Sequence, residues 1–76
     1  MNARETVYAI IARLLAAQGR EGVQVTDGSP IHDRGLEFDS LTTAELSSLL
    51  EDALGKDPYT AGQYPPTVGD LLAFYR

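Results

Sequence analysis

The side chains best suited to chemistry in this sequence are the hydroxyl of Ser40 and the imidazole of His32, the one histidine. Ser40 follows Asp39 and opens an amphipathic run, so its hydroxyl is expected where a helix begins. A helix start offers free amides and a favourable dipole to an anion, which suits a serine that carries a covalently attached phosphate ester. The same position also suits ordinary helix capping, by Ser40 or Asp39. His32 is read as a solvated loop residue. It could serve Ser40 as a base only if the loop folded back, and neither an orienting third group nor a Gly-x-Ser-x-Gly elbow accompanies it. Asp27, Asp33, Glu37 and Asp39 do not follow the spacing of a calcium-binding loop and are read as loop and capping acids. With no cysteine, the chain has no thiol nucleophile, thiolate metal site or disulfide of its own.

Size and charge narrow the function classes. Seventy-six residues make one domain, 1–76, with a modest core and little material to wall an enclosed substrate cleft. A self-sufficient enzyme is therefore not expected. The net charge is -5. Between Gly35 and Gly55 lie Glu37, Asp39, Glu45, Glu51 and Asp52 with no Lys or Arg, while the acids and bases elsewhere balance. Phosphate backbones would be repelled from that segment, so nucleic acid is not an expected partner, and a helix-turn-helix reader would need a basic helix instead. A basic protein surface would be attracted. No apolar run approaches the roughly 20 residues that span a bilayer, and no signal-peptide pattern opens the chain. A cytoplasmic, monomeric protein is expected.

The elements that must hold Ser40 follow from periodicity. Asn2, with Glu5 three residues on, caps a first helix over about Ala3 to Gln18, with Val7, Ile10, Ile11, Leu14 and Leu15 on one stripe. Gly19 and Gly22 end it. The stretch from Gly19 to Phe38 lacks sustained periodicity and is expected to be an ordered connection. Val23, Val25, Ile31, Leu36 and Phe38 are its anchors, and a short turn is placed near Asp33 to Leu36. Val23 and Val25 alternate as in a strand but have no evident pairing partner. A second helix is expected over Ser40 to Leu54, or from a start at Thr42, with Leu46, Leu49, Leu50, Ala53 and Leu54 facing the core. Asp57-Pro58 predicts a short third helix reaching about Gln63. Thr67 caps a last helix to Tyr75, with Val68, Leu71, Leu72 and Tyr75 inward. The expected fold is all-α: a small four-helix bundle of three main helices and one short third helix, with a long loop between helices 1 and 2.

On a wheel at 100° per residue, Leu41, Glu45, Ser48 and Asp52 fall nearly opposite the second helix's core stripe. Leu41 is then an apolar knob among acids, the pattern of a docking patch.

Phe38-Asp39-Ser40-Leu41 and the run on to Gly55 resemble the attachment region of acyl carrier proteins, and Thr67 to Leu72 resembles the last helix of that family. The length, acidity and long first loop agree, so the resemblance spans nearly the whole chain. It implies that Ser40 receives 4'-phosphopantetheine from coenzyme A through a phosphopantetheinyl transferase, with Asp39 and Leu41 flanking the attachment. The arm would supply the missing thiol and hold acyl groups as thioesters for separate enzymes. It further implies that Leu41, Glu45, Ser48, Glu51 and Asp52 meet acyl-loading, adenylating or synthase enzymes with basic docking surfaces.

The chain departs from the fatty-acid carriers at Thr42, where they commonly have an acid, and in Asp57 to Tyr64, which lacks their acidic third-helix region. It also lacks the Gly-Gly-x-Ser approach of peptidyl carriers. The resemblance thus points to a discrete, free-standing carrier of a polyketide or hybrid natural-product pathway. D-alanyl-type carriers share the Phe-Asp-Ser-Leu motif, so an aminoacyl cargo is the alternative. A non-modified acidic helical interaction module is the other.

Overall fold

A computed structural model describes residues 2–76; Met1, at the head of the expected leaderless N-terminus, lies outside the described residues. The described chain is all-helical, with α1 (Ala3–Ala17), α2 (Ser40–Leu54) and α3 (Val68–Ala73) and no strand. It is a compact body of 28 × 25 × 21 Å. No helix is long and apolar enough to cross a membrane.

Each helix starts where the sequence supplies a cap. Asn2 Oδ1 accepts from the Glu5 amide at 2.8 Å, Asp39 from the Thr42 amide at 2.8 Å, and Thr67 Oγ1 from the Asp70 amide at 3.1 Å. Each bond satisfies one of the amides that a helix leaves unpaired at its first turn. At this length an isolated helix is marginal in water, so the shared core must hold all three. Val7, Ile10, Ile11, Leu14 and Leu15 of α1 are buried together with Leu46 and Leu50 of α2 and Val68, Leu71 and Leu72 of α3. Each fully buried side chain of this kind contributes about 1.5–3 kcal/mol. Ala53, expected in the core, is exposed, and Leu49 and Leu54 are only half-buried. The end of α2 thus packs at the margin of the core rather than within it. Thr42 takes an inward position instead, buried with its hydroxyl accepting from Gln18 Nε2 at 3.0 Å.

The expected short third helix is absent. Asp57 does cap this segment, accepting from the Thr60 amide at 3.0 Å, but only a turn follows, closed by Gly62 N to Tyr59 O (3.0 Å) and Gln63 N to Pro58 O (2.8 Å). Gly62 takes a left-handed conformation (φ 83°), and Pro65 and Pro66 follow at once. Too few residues remain to repay helix nucleation. Among the described residues the fold therefore has three helices and a capped turn.

α1 packs against both α2 and α3, whose backbones do not approach each other closely although their side chains share the core. The long connection joins the same core through Ile31, Leu36 and Phe38, all buried. Its backbone finds partners that periodicity does not reveal. Ile31 N donates to Pro66 O (2.9 Å) and Val68 N to Ser29 O (3.0 Å), an isolated antiparallel bridge between Pro30 and Thr67. The pairing lies beyond Val23 and Val25, which pack at the margin of the core.

Candidate functional site

Ser40 is the first residue of α2, and three ties fix where it stands. Phe38, two residues earlier, is buried, and its amide donates to Ile31 O at 2.9 Å. Arg20 Nη1 donates to Leu36 O at 2.9 Å, holding the end of the loop against the exit of α1. The Gln18–Thr42 bond joins α1 to the first turn of α2. Between these anchors, Glu37 takes φ 53°, a left-handed conformation that costs a non-glycine residue roughly 1–2 kcal/mol. Such strain persists only where neighbouring contacts dictate the backbone path. Buried Leu36 and Phe38 on either side of Glu37 supply them.

Capping is assigned to Asp39, not Ser40. Hydrogen bonds from the Thr42 amide and side chain hold the Asp39 carboxyl below its ordinary range, with a smaller one from the Leu41 amide adding to them against slight desolvation. Ser40 is exposed, and its hydroxyl has no hydrogen-bond partner among the described residues. Leu41 beside it is 70 % exposed, and Glu45, Ser48, Glu51 and Asp52 along the same helix are exposed too. The wheel correctly separates this face from the core.

A groove of about 510 Å³ begins at Ser40. Thr43, Ala44 and Ser47 of α2 line one wall, and Tyr59, Thr60 and Tyr64 of the capped turn line the other. Below the turn sits Asp57, buried, accepting from Ser47 Oγ at 2.7 Å and from Thr60 Oγ1 at 2.7 Å. Burial alone would raise its pKa. The hydrogen bonds from Ser47 and Thr60 outweigh that and hold it below the ordinary value.

His32 also lines this groove, and the expectation of a solvated loop residue is overturned. It is half-buried, with Nδ1 3.4 Å from Phe38 O and 3.3 Å from Thr43 Oγ1, and Nε2 3.1 Å from the Tyr59 hydroxyl. The Tyr59 ring meets His32 edge-on, with centroids 5.7 Å apart. Burial, with Asp57 nearby, pushes the Tyr59 hydroxyl far above its ordinary pKa, so it remains protonated. Both ring nitrogens of His32 thus face groups other than Ser40, and no hydrogen bond joins the two residues.

Sequence reasoning missed Tyr59, Tyr64 and Thr60 as lining of the groove at Ser40 and set His32 in solvent unless the loop folded back; no local pattern brings them together. One signal was available. Ser40, Thr43, Ala44 and Ser47 repeat at helical spacing as a small, polar stripe, distinct from both the core stripe and the acidic face. The suspected loop acids also separate. Asp27 forms a bidentate pair with Arg4 (2.9–3.0 Å) and accepts from Tyr8, whereas Asp33 and Glu37 are exposed. No group of three or more potential metal ligands converges among the described residues.

No protein-family model, curated protein or solved structure matches this chain.

Proposed function

We propose that this chain is a carrier protein modified on Ser40 with 4'-phosphopantetheine. The observation that carries the reading is an exposed hydroxyl at the first position of α2, left free because Asp39 does the capping, at the head of a groove. The residues fit the group: the hydroxyl is open to a modifying enzyme, and the helix start behind it favours the negative charge of a phosphodiester. In the transfer, Ser40 Oγ forms a bond to phosphorus of coenzyme A, the adenosine bisphosphate portion leaves, and the serine proton passes to the transferase. The attached arm supplies a thiol, and hence thioester chemistry, to a chain that has no cysteine.

The chain's own residues then hold and present. Asp39 fixes the start of α2. Leu41 is the apolar contact of a docking face whose carboxylates Glu45, Glu51 and Asp52, with Ser48 between them, attract basic enzyme surfaces. These partners are the phosphopantetheinyl transferase and the enzymes that load, adenylate or condense the cargo. We assign the protein to polyketide or hybrid assembly as a monomeric, cytoplasmic, non-catalytic carrier of acyl or aminoacyl groups.

The test is incubation with coenzyme A and a broad-specificity phosphopantetheinyl transferase, read by intact mass and peptide mapping. The expected result is one added arm on Ser40 and none on Ser40→Ala. Because Asp39 provides the cap, Ser40→Ala should change stability by less than about 0.5 kcal/mol. Failure of several transferases to modify the protein, or an arm on another residue, would reject the carrier reading.

A further inference from the structure

Two hydroxyls of the groove have already committed their protons. Ser47 Oγ and Thr60 Oγ1 both donate to Asp57, each at 2.7 Å. Ser47 Oγ and Thr60 Oγ1 therefore retain lone pairs along the groove and have no proton to give. His32 Nδ1 stands between Phe38 O and Thr43 Oγ1. Its Nε2 is 3.1 Å from the Tyr59 hydroxyl. Asp39, also on the groove, carries negative charge; Asp57 stands behind the wall, and no Lys or Arg lines it. The Tyr59 and Tyr64 rings pack edge-to-face at 5.4 Å, and Tyr64, 71 % exposed, offers aromatic surface to the solvent side.

We infer that this groove receives the amino end of an aminoacyl group carried on the Ser40 arm, and favours it over a saturated or ketone-bearing acyl chain. The inference rests on the carrier reading. A wall of acceptors with negative charge behind it is complementary to a group that brings protons and positive charge, and an ammonium does both. The tyrosine rings add attraction for the same cation. A ketone-bearing chain would set acceptors against acceptors. A saturated chain would strip water from these oxygens and return no hydrogen bond. The groove is open and shallow, so it orients the cargo transiently and releases it to the next enzyme. Within a hybrid pathway this places the protein at an amino-acid-derived unit, downstream of an enzyme that activates a carboxylate bearing a free amine.

Glycyl and propionyl groups test this directly, since they are nearly the same size and differ by an ammonium in place of a methyl. Glycyl, N-acetylglycyl and propionyl arms, each joined through a stable amide, are installed on the full chain from the corresponding coenzyme A analogues. Backbone amide NMR shifts are compared with those of the protein bearing the arm alone. The expected result is a shift of the amides of Tyr59, Thr60 and Tyr64 with glycyl, and little change with the other two. Thr60→Val and Tyr64→Ala should each lose much of the glycyl-specific shift while still accepting the arm. Equal shifts from propionyl, or none from any cargo on a correctly modified Ser40, would overturn the aminoacyl assignment and leave the carrier reading standing. A protein that takes no arm at all would remove both.

Discussion

A serine hydroxyl that caps its own helix must be pulled from a hydrogen bond before it can be modified. In this chain the neighbouring carboxylate has taken that role, and Asp39 is held below its ordinary pKa by the amides it caps. A second carboxylate, Asp57, has a comparable structural role at the far wall of the groove, where it gathers Ser47 Oγ, Thr60 Oγ1 and the Thr60 amide. Removing it leaves those donors facing an apolar gap, so Asp57→Ala should destabilise the fold by about 2–3 kcal/mol in urea titration at neutral pH. The pH dependence has a definite sign. A carboxyl whose folded pKa is depressed adds stability above its unfolded pKa of about 3.9, and loses it as pH falls through the lower folded value. Acid unfolding of Asp57→Ala should therefore be less steep below about pH 4 than that of the parent; an identical acid limb would place the titrating groups elsewhere.

Among the elements, the long connection from α1 to α2 matters most for the site, because it delivers Phe38 and the turn that leads to Ser40. Its closure is tight: a β-carbon on Gly35 would lie 2.5 Å from the backbone oxygen of Pro30. That oxygen also accepts from the Leu36 amide at 2.8 Å. Gly35→Ala must therefore push the loop open, at a cost of about 1–3 kcal/mol by melting or denaturant titration, and should slow modification of Ser40. Gly22→Ala is the matched control, since nothing lies within 4 Å of a β-carbon there. If both variants behaved alike, the packed loop would not be what positions the serine. The capped turn carrying Tyr59 has the opposite character, being too short to be a helix and held to α2 through Asp57. Its tyrosines therefore face the groove because a buried side chain ties the segment down.

Across the whole molecule, α1 is the shared support, and the acidic excess lies on the surface of α2. Glu45 and Asp52 are exposed, so reversing both to Lys should leave the fold intact. It should weaken association with a basic transferase on the order of tenfold and flatten its salt dependence. Unchanged affinity, measured across ionic strength, would refute the docking face. Much of this arrangement is written locally. The caps at Asn2 and Thr67, the core stripes of α1 and α3, the exposed side of α2 and the position of Ser40 follow from residue types at helical spacing, which leave open whether Asp39 or Ser40 caps α2. Helix periodicity fixes which side chains share a face, wherever that helix packs. Tertiary structure alone decided the rest: that the long connection pairs Pro30 with Thr67, and that His32 and Tyr59 meet in the groove that begins at the serine. Those outcomes depend on contacts between residues far apart in the chain, such as His32 with Tyr59 and Pro30 with Thr67. No local pattern encodes such pairs, because each forms only once the common core has brought its segments together.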